Sequence, residues 1–153
     1  MSLQEQYFNN TIAGDFFKLI AGRRLGSGVG REVWTCELDP SIVIKFETGS
    51  ASFQHVVEWE AWQALRWSDD AAKWLAPCVS ISCCGSILVQ KRTEPLRREE
   101  LPERVPSWAT DLKLENWGML DGHPVMHDYG LASVIISRGA TKHMRKADWD
   151  PVR

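Results

Sequence analysis

The chain of 153 residues lacks any apolar run approaching the ~20 residues that a helical membrane crossing needs. It also lacks a charged-then-apolar leader of the export type, a low-complexity tract and an internal repeat. These absences exclude a membrane-spanning helix and a solenoid, and they set the expectation of a protein without membrane partners. An excess of charge of one sign is missing too. Eighteen Lys and Arg stand against 20 Asp and Glu, a net charge of −2, so nothing calls for nucleic acid or an anionic lipid surface as partner. The four cysteines, Cys36, Cys78, Cys83 and Cys84, contain no Cys-x-x-Cys pair, whereas zinc sites usually show paired ligands at short fixed spacings. They are expected to be small buried thiols in strands. Unpaired cysteines without an export leader point to the reducing cytoplasm.

What is present is an ordinary globular composition, 44% hydrophobic and 25% charged, at the length of one domain. The eight tryptophans are scattered and read as core or interface residues. Residues 1–15 are polar and punctuated by Asn9, Asn10 and Gly14, so a loose lead-in is expected there. Residues 16–25 are apolar enough for a strand or a short helix. "GSGVG" follows and cannot be the interior of a regular element. "REVWTCEL" alternates as a strand, Asp39-Pro40-Ser41 signals a turn, and "IVIKFE" is a second strand rich in β-branched residues.

Serines in 49–52 offer a cap to "SFQHVVEWEAWQALRW", the strongest helix pattern. Phe53, Val57, Ala61 and Ala64 form its apolar stripe, Trp62 and Leu65 extend it, and Ser68-Asp69-Asp70 stops it. "APCVSISCCGSILVQKR" reads as two strands joined near Gly85-Ser86. Residues 93–106 are charged, carry three prolines and look like a linker with one helical turn at "RREELPE". A loop, the strand "WGML", an Asp121-Gly122 turn and the strand "HPVMHD" complete the pattern, with a polar end expected to be poorly ordered.

Several positions carry chemistry. Gly26, Gly28 and Gly30 sit between two strands, where glycine lets backbone amides approach a phosphate closely. An ordinary hairpin explains them as well, and no Gly-Lys-Ser/Thr follows to make a Walker loop. Lys45 lies between Ile44 and Phe46, and a covered ammonium needs a partner. Glu58 shares a helix face with Trp62 and Leu65, so it is expected to point inward, while Glu60 lies about 200° away and should be solvated. If Asp121-Gly122 is a two-residue turn, Leu120 pairs with His123, Asn116 falls opposite His127, and Asp128 is diagonal to Asn116. An amide oxygen and a carboxylate then converge, a donor set that suits Mg²⁺. A plain turn at Asp128-Tyr129-Gly130 is the other reading. Asp111 and Lys113 lie in the loop leading in.

Taken in order, these stretches resemble the protein kinase-like superfamily over residues 25–130. "GSGVGREV" is similar to the glycine-rich loop, "VIKFE" to the strand with the ATP lysine, and "EWEAWQAL" to the helix with its glutamate. "ILVQKRTEPL" resembles the hinge, "DLKLEN" the catalytic loop Asp-x-Lys-x-x-Asn, and "HDYG" the Asp-Phe-Gly metal motif. The resemblance implies an α+β, protein kinase-like fold in a single domain. Residues 16–92 would form an N-lobe with a five-stranded antiparallel sheet and one αC-like helix. Residues 93–153 would form a minimal C-lobe around a catalytic loop and a β-hairpin, as in small phage-encoded kinase-like proteins of the host cytoplasm.

The resemblance further implies ATP and Mg²⁺ (or Mn²⁺) as cofactors and a serine/threonine protein kinase activity. Gly26, Ser27, Gly28 and Val29 would cover the phosphates, Lys45 would grip them and Glu58 would orient Lys45. Val89, Gln90, Lys91 and Arg92 would supply the hinge backbone. Asp111 would orient the attacking hydroxyl and accept its proton, Lys113 would neutralise the γ-phosphate, and Asn116 and Asp128 would hold the metal. Departures from the family pattern are specific. Arg31 stands at the third glycine, Ala109 and Thr110 replace His-Arg before Asp111, and residues 93–110 leave no room for the two helices that kinases insert there. No Ala-Pro-Glu-like motif follows Gly130. The alternative implied by these losses is a pseudokinase acting as a nucleotide- or host-protein-binding module. Trp108 and Trp149, expected to be exposed, would then anchor a host protein or a second copy in a homodimer.

Overall fold

The computed structural model describes residues 11–28, 30–47, 53–130 and 142–150. The protein is α+β, with few helices and a five-stranded antiparallel sheet. It divides into two compact units, Met1–His55 with Val79–Arg92, and Val56–Cys78 with Thr93–Arg153.

In the first unit, helix α1 (Thr11–Ile20) leads directly into strand β1 (Ala21–Gly28). Residues 11–15, expected to belong to a loose lead-in, are therefore helical, and residues 1–10 of that expected stretch lie outside the described residues. The reason is tertiary. Phe17 is buried edge-on against Trp34, with centroids 5.3 Å apart, and tilted against Phe46 at 5.6 Å. Strands β2 (Arg31–Cys36), β3 (Ile42–Glu47), β4 (Cys78–Ile81) and β5 (Ile87–Lys91) complete the sheet in the order β1-β2-β3-β5-β4. The register Val33↔Lys45↔Leu88 and the two-residue pleat give the sheet two different faces. Ile44 and Phe46 face the apolar cluster of Phe17, Ala21 and Cys36, while Lys45 and Glu47 take the opposite face.

Helix α2 (Gln54–Leu65) stops where the sequence predicts, but its inward stripe differs. His55, Glu58, Ala61 and Leu65 are buried, whereas Phe53 is 62% exposed and Ala64 is exposed. Phe53 has φ +51° and precedes the helix, so its side chain leaves the expected stripe. Glu60 is exposed, as its angular position requires.

In the second unit a short helix α3 (Asp69–Ala72) follows, and residues 93–106 are more than a linker. Strand β6 (Glu94–Pro95) pairs with β8 (Trp117–Leu120), which pairs with β9 (His123–Met126). Strand β7 (Arg104–Pro106) pairs with β10 (Met144–Lys146), so part of the end expected to be poorly ordered is a strand. The expected helical turn is a single 3₁₀ turn at Arg98–Glu100, closed by Arg97 and Glu100 bonding each other's ends. Tryptophans bind the unit together. Trp74 and Trp149 meet Trp117 edge-on at 6.3 and 5.1 Å. Trp108 is buried and Trp149 half-buried, which corrects their expected exposure. The ladders are too short to bury an apolar face, so large aromatic rings supply the core area. Among the described residues no helix is long and apolar enough to cross a membrane.

Candidate functional site

The second unit places four of the predicted residues, Asp111, Lys113, Asn116 and Asp128, around one hairpin. Asp121 (φ +50°) and Gly122 (φ +77°) are both left-handed, the backbone of a two-residue turn that matches strand twist. Register then runs outward from Leu120↔His123 to Trp117↔Met126. At the open end the Asn116 carbonyl accepts from the N–H of His127 at 2.9 Å and from that of Asp128 at 3.3 Å. The predicted diagonal of Asn116 and Asp128 is therefore present, and two backbone bonds fix it.

Asn116 closes a 3₁₀ turn (Leu114–Asn116) whose last N–H donates to the Lys113 carbonyl at 3.0 Å. Its side-chain Nδ2 donates to Asp111 Oδ2 at 2.8 Å, which leaves the amide Oδ1 as the atom with lone pairs for a cation. Asp111 is held from the other side too, by Trp117 Nε1 donating to its backbone carbonyl at 3.4 Å. Lys113 Nζ stands 3.7 Å from Asp111 Oδ1, with the two side chains 48% and 34% exposed. A pair that open contributes little to stability, so its interest is its location. Arg145 donates to the Ala109 carbonyl at 2.7 Å and secures the start of the loop.

Two residues that the sequence did not single out brace this frame. The His127 ring bridges the Glu115 carbonyl, to which Nε2 must donate at 2.8 Å, and the Thr93 hydroxyl, 2.8 Å from Nδ1. Tyr129 donates its backbone N–H to Glu58 Oε1 at 3.1 Å and its hydroxyl to the Ala76 carbonyl at 2.8 Å, with Cys78 Sγ 3.1 Å away. Glu58 is fully buried, the inward orientation that its helix position predicts. Its carboxylate also fixes the residue after Asp128, a role that no local pattern announces.

The donors at the hairpin are one amide oxygen and half-buried carboxylates. Among the described residues no group of three or more His, Cys, Asp or Glu is placed to hold a metal alone. An amide oxygen and a carboxylate are donors of the type Mg²⁺ takes beside water and phosphate oxygens.

The first unit holds the other predicted residues. Gly26, Ser27 and Gly28 are exposed at the end of β1, opposite Val33, Glu32 and Arg31, and Gly30 turns the chain at φ +77°. A Cβ built at Gly26 or Gly28 meets nothing within 4 Å, so internal crowding does not explain glycine there. Val29 lies outside the described residues, as does the serine cap expected in 49–52. Lys45 is buried at 3% exposure, which removes the open-face alternative. Val89, Gln90 and Lys91 pair with Ile44, Val43 and Ile42, and the Arg92 N–H donates to the Ser41 carbonyl at 2.8 Å. That bond uses the Arg92 N–H and leaves its backbone carbonyl.

His55 is the principal residue missed in this unit. It is fully buried, its backbone N–H donates to Glu47 Oε1 at 3.0 Å, and its Nδ1 donates to the Gly85 carbonyl at 3.1 Å. Burial, with help from the cations of Arg31 and Lys45, pushes its pKa down to about 4 against the pull of Glu47 and Gly85. The signal was its place three residues before Glu58, on the same helix face. Cys83 and Cys84 are exposed in the turn between β4 and β5, not buried as expected. Hydrogen bonds from Ser86 and Ser82 lower the Cys84 thiol to about 7.

Comparison with known proteins finds no family model and no curated protein that matches the chain. Fold and sites together define an α+β protein with a charged sheet face in one unit and a braced Asp-Lys-Asn hairpin in the other.

Proposed function

We propose that the chain is a miniature member of the protein kinase-like superfamily, an ATP- and Mg²⁺-dependent phosphotransferase acting on a serine or threonine hydroxyl of a protein. The observation that carries this reading is the arrangement of Asp111, Lys113 and Asn116, with the Asn116 amide on Asp111 and the Asn116 carbonyl on the Asp128 N–H. Asp111 orients the attacking hydroxyl and takes its proton as the oxygen bonds to the γ-phosphorus and the bond to ADP breaks. Lys113 offsets the phosphate charge. Asn116 and Asp128 would hold Mg²⁺, which would supply positive charge to offset that of the phosphate oxygens.

In the first unit Lys45 grips the α- and β-phosphates, and Gly26, Ser27 and Gly28 cover them. The open space over Gly26 and Gly28 supports that part of the reading. Backbone of 89–92 supplies the hinge for adenine.

Transfer of labelled γ-phosphate from ATP to the protein itself or to a host lysate tests the proposal. Asp111→Asn should reduce transfer by roughly a hundredfold or more, and Asp128→Ala should abolish it. No transfer with either Mg²⁺ or Mn²⁺ would sink the enzymatic reading. If calorimetry then still showed ATP binding, the nucleotide-binding module would stand in its place.

A further inference from the structure

The second unit carries a groove that the proposed chemistry leaves unused. It encloses about 530 Å³, within the range of ligand-binding clefts. Its walls come from three separate segments: the 3₁₀ turn with Arg98, the start of β7 with Arg104, and the end of β10 with Lys146. Glu103 is the one carboxylate in the lining, so three cations face one anion in a chain whose net charge is −2. Among the described residues, Arg98 and Lys146 make no side-chain hydrogen bond or ion pair, and Arg104 gives one N–H to the Met144 carbonyl.

The floor is apolar and fixed. Trp149 donates its Nε1 to the Pro102 carbonyl at 3.0 Å and packs edge-on against Trp117 at 5.1 Å, so the indole cannot turn away. Leu101 lines the same groove. A rigid aromatic floor with unpaired cations on a separate rim has two chemical requirements to meet: negative charge spread along a chain, and an apolar side chain between the charges.

We infer that this groove is a docking site for an acidic protein segment in which aspartates or glutamates flank a large apolar residue. Spread cations on three segments match spaced carboxylates, where a single phosphate would call for converging donors. The apolar residue lies on Trp149, and the flanking carboxylates meet Arg98, Arg104 and Lys146. Neither ATP nor the reacting hydroxyl enters this contact, so it stands or falls apart from the phosphotransferase reading.

The test uses the full chain without ATP and a short fluorescein-labelled peptide in which glutamates flank a leucine, read by fluorescence anisotropy. Saturable binding that weakens as salt rises is expected, because exposed charges are screened. A double charge reversal, Arg98→Glu with Lys146→Glu, should weaken binding at least tenfold and leave the circular dichroism unchanged, since neither side chain braces the fold. Leucine→serine in the peptide should weaken binding several-fold. Unchanged affinity in the double variant would overturn the inference. So would equal binding of a peptide with lysine for glutamate, or tighter binding of a single-stranded oligonucleotide than of the acidic peptide.

Discussion

The first unit keeps charge inside a regular sheet, whereas the second holds short ladders together with aromatic rings. Arg31, Lys45, Glu47, His55 and Gln90 are all buried in the first, on or beside strands of five to six residues. Among the described residues the second buries only Glu58 and Asn116 of that kind, and its ladders are two to four residues long. The difference is one of what each element can do alone. A five-stranded sheet satisfies its own backbone and can accommodate an internal ionic face. Two- to four-residue strands cannot, so ring packing and side-chain-to-backbone bonds carry the second unit.

The sharpest way to break that contrast is Trp117→Ala. Trp117 is 2% exposed and touches both Trp74 and Trp149, so its loss should cost about 3–5 kcal/mol in urea unfolding. A loss under about 1 kcal/mol would show that the rings do not hold the second unit.

In the first unit the corresponding stress is acid. His55 is neutral in the fold and has a pKa near 4, against an ordinary 6.5 when unfolded. Unfolded chains therefore bind more protons between those values. Stability from this group is complete above about pH 6.5 and falls by on the order of 3 kcal/mol as pH drops towards 4. His55→Asn keeps a donor for Gly85 without titrating, so its unfolding free energy should decline less over that window. Superimposable pH profiles for the two proteins would count against a buried neutral imidazole.

The mildest comparison uses glycines. A Cβ at Gly118 would strike the Thr93 side chain and crowd the Glu94 carbonyl, so Gly118→Ala should cost about 1–3 kcal/mol. Gly26→Ala and Gly28→Ala have free space and should stay within about 1 kcal/mol of the parent. Their effect should appear as roughly tenfold weaker ATP binding in calorimetry. Unaltered ATP affinity would remove these glycines from the nucleotide reading.

What the sequence made legible follows the same division. Strands β2 and β3, helix α2 and the Leu120↔His123 register are written in local periodicity and turn chemistry, and they appear where expected. Asn116 and Asp128 were placed from the Asp121-Gly122 count alone. Illegible were the features that depend on distant partners. Thr11–Ile20 is helical because Phe17 finds Trp34 and Phe46, and 104–106 is a strand only because 144–146 lies beside it. Prolines and charges in 93–106 concealed strands too short to show a period. Trp108 looked free because no pattern around it says which ring or wall it meets. The bond from Asn116 to Asp111 and the bracing by His127 belong to the same class, since each joins side chains whose rotamers no spacing reports.

Tyr129 also sets how often the hairpin end can open. Swinging Asp128 outward breaks three contacts together: the Tyr129 N–H to Glu58, the Tyr129 hydroxyl to Ala76, and the Asp128 N–H to Asn116. At about 1 kcal/mol net for each, the open form is occupied for less than roughly one per cent of the time. Asp128 is thus a nearly permanent fixture of its unit, and any event that needs it elsewhere must wait for a rare excursion or bring its own binding energy to create one.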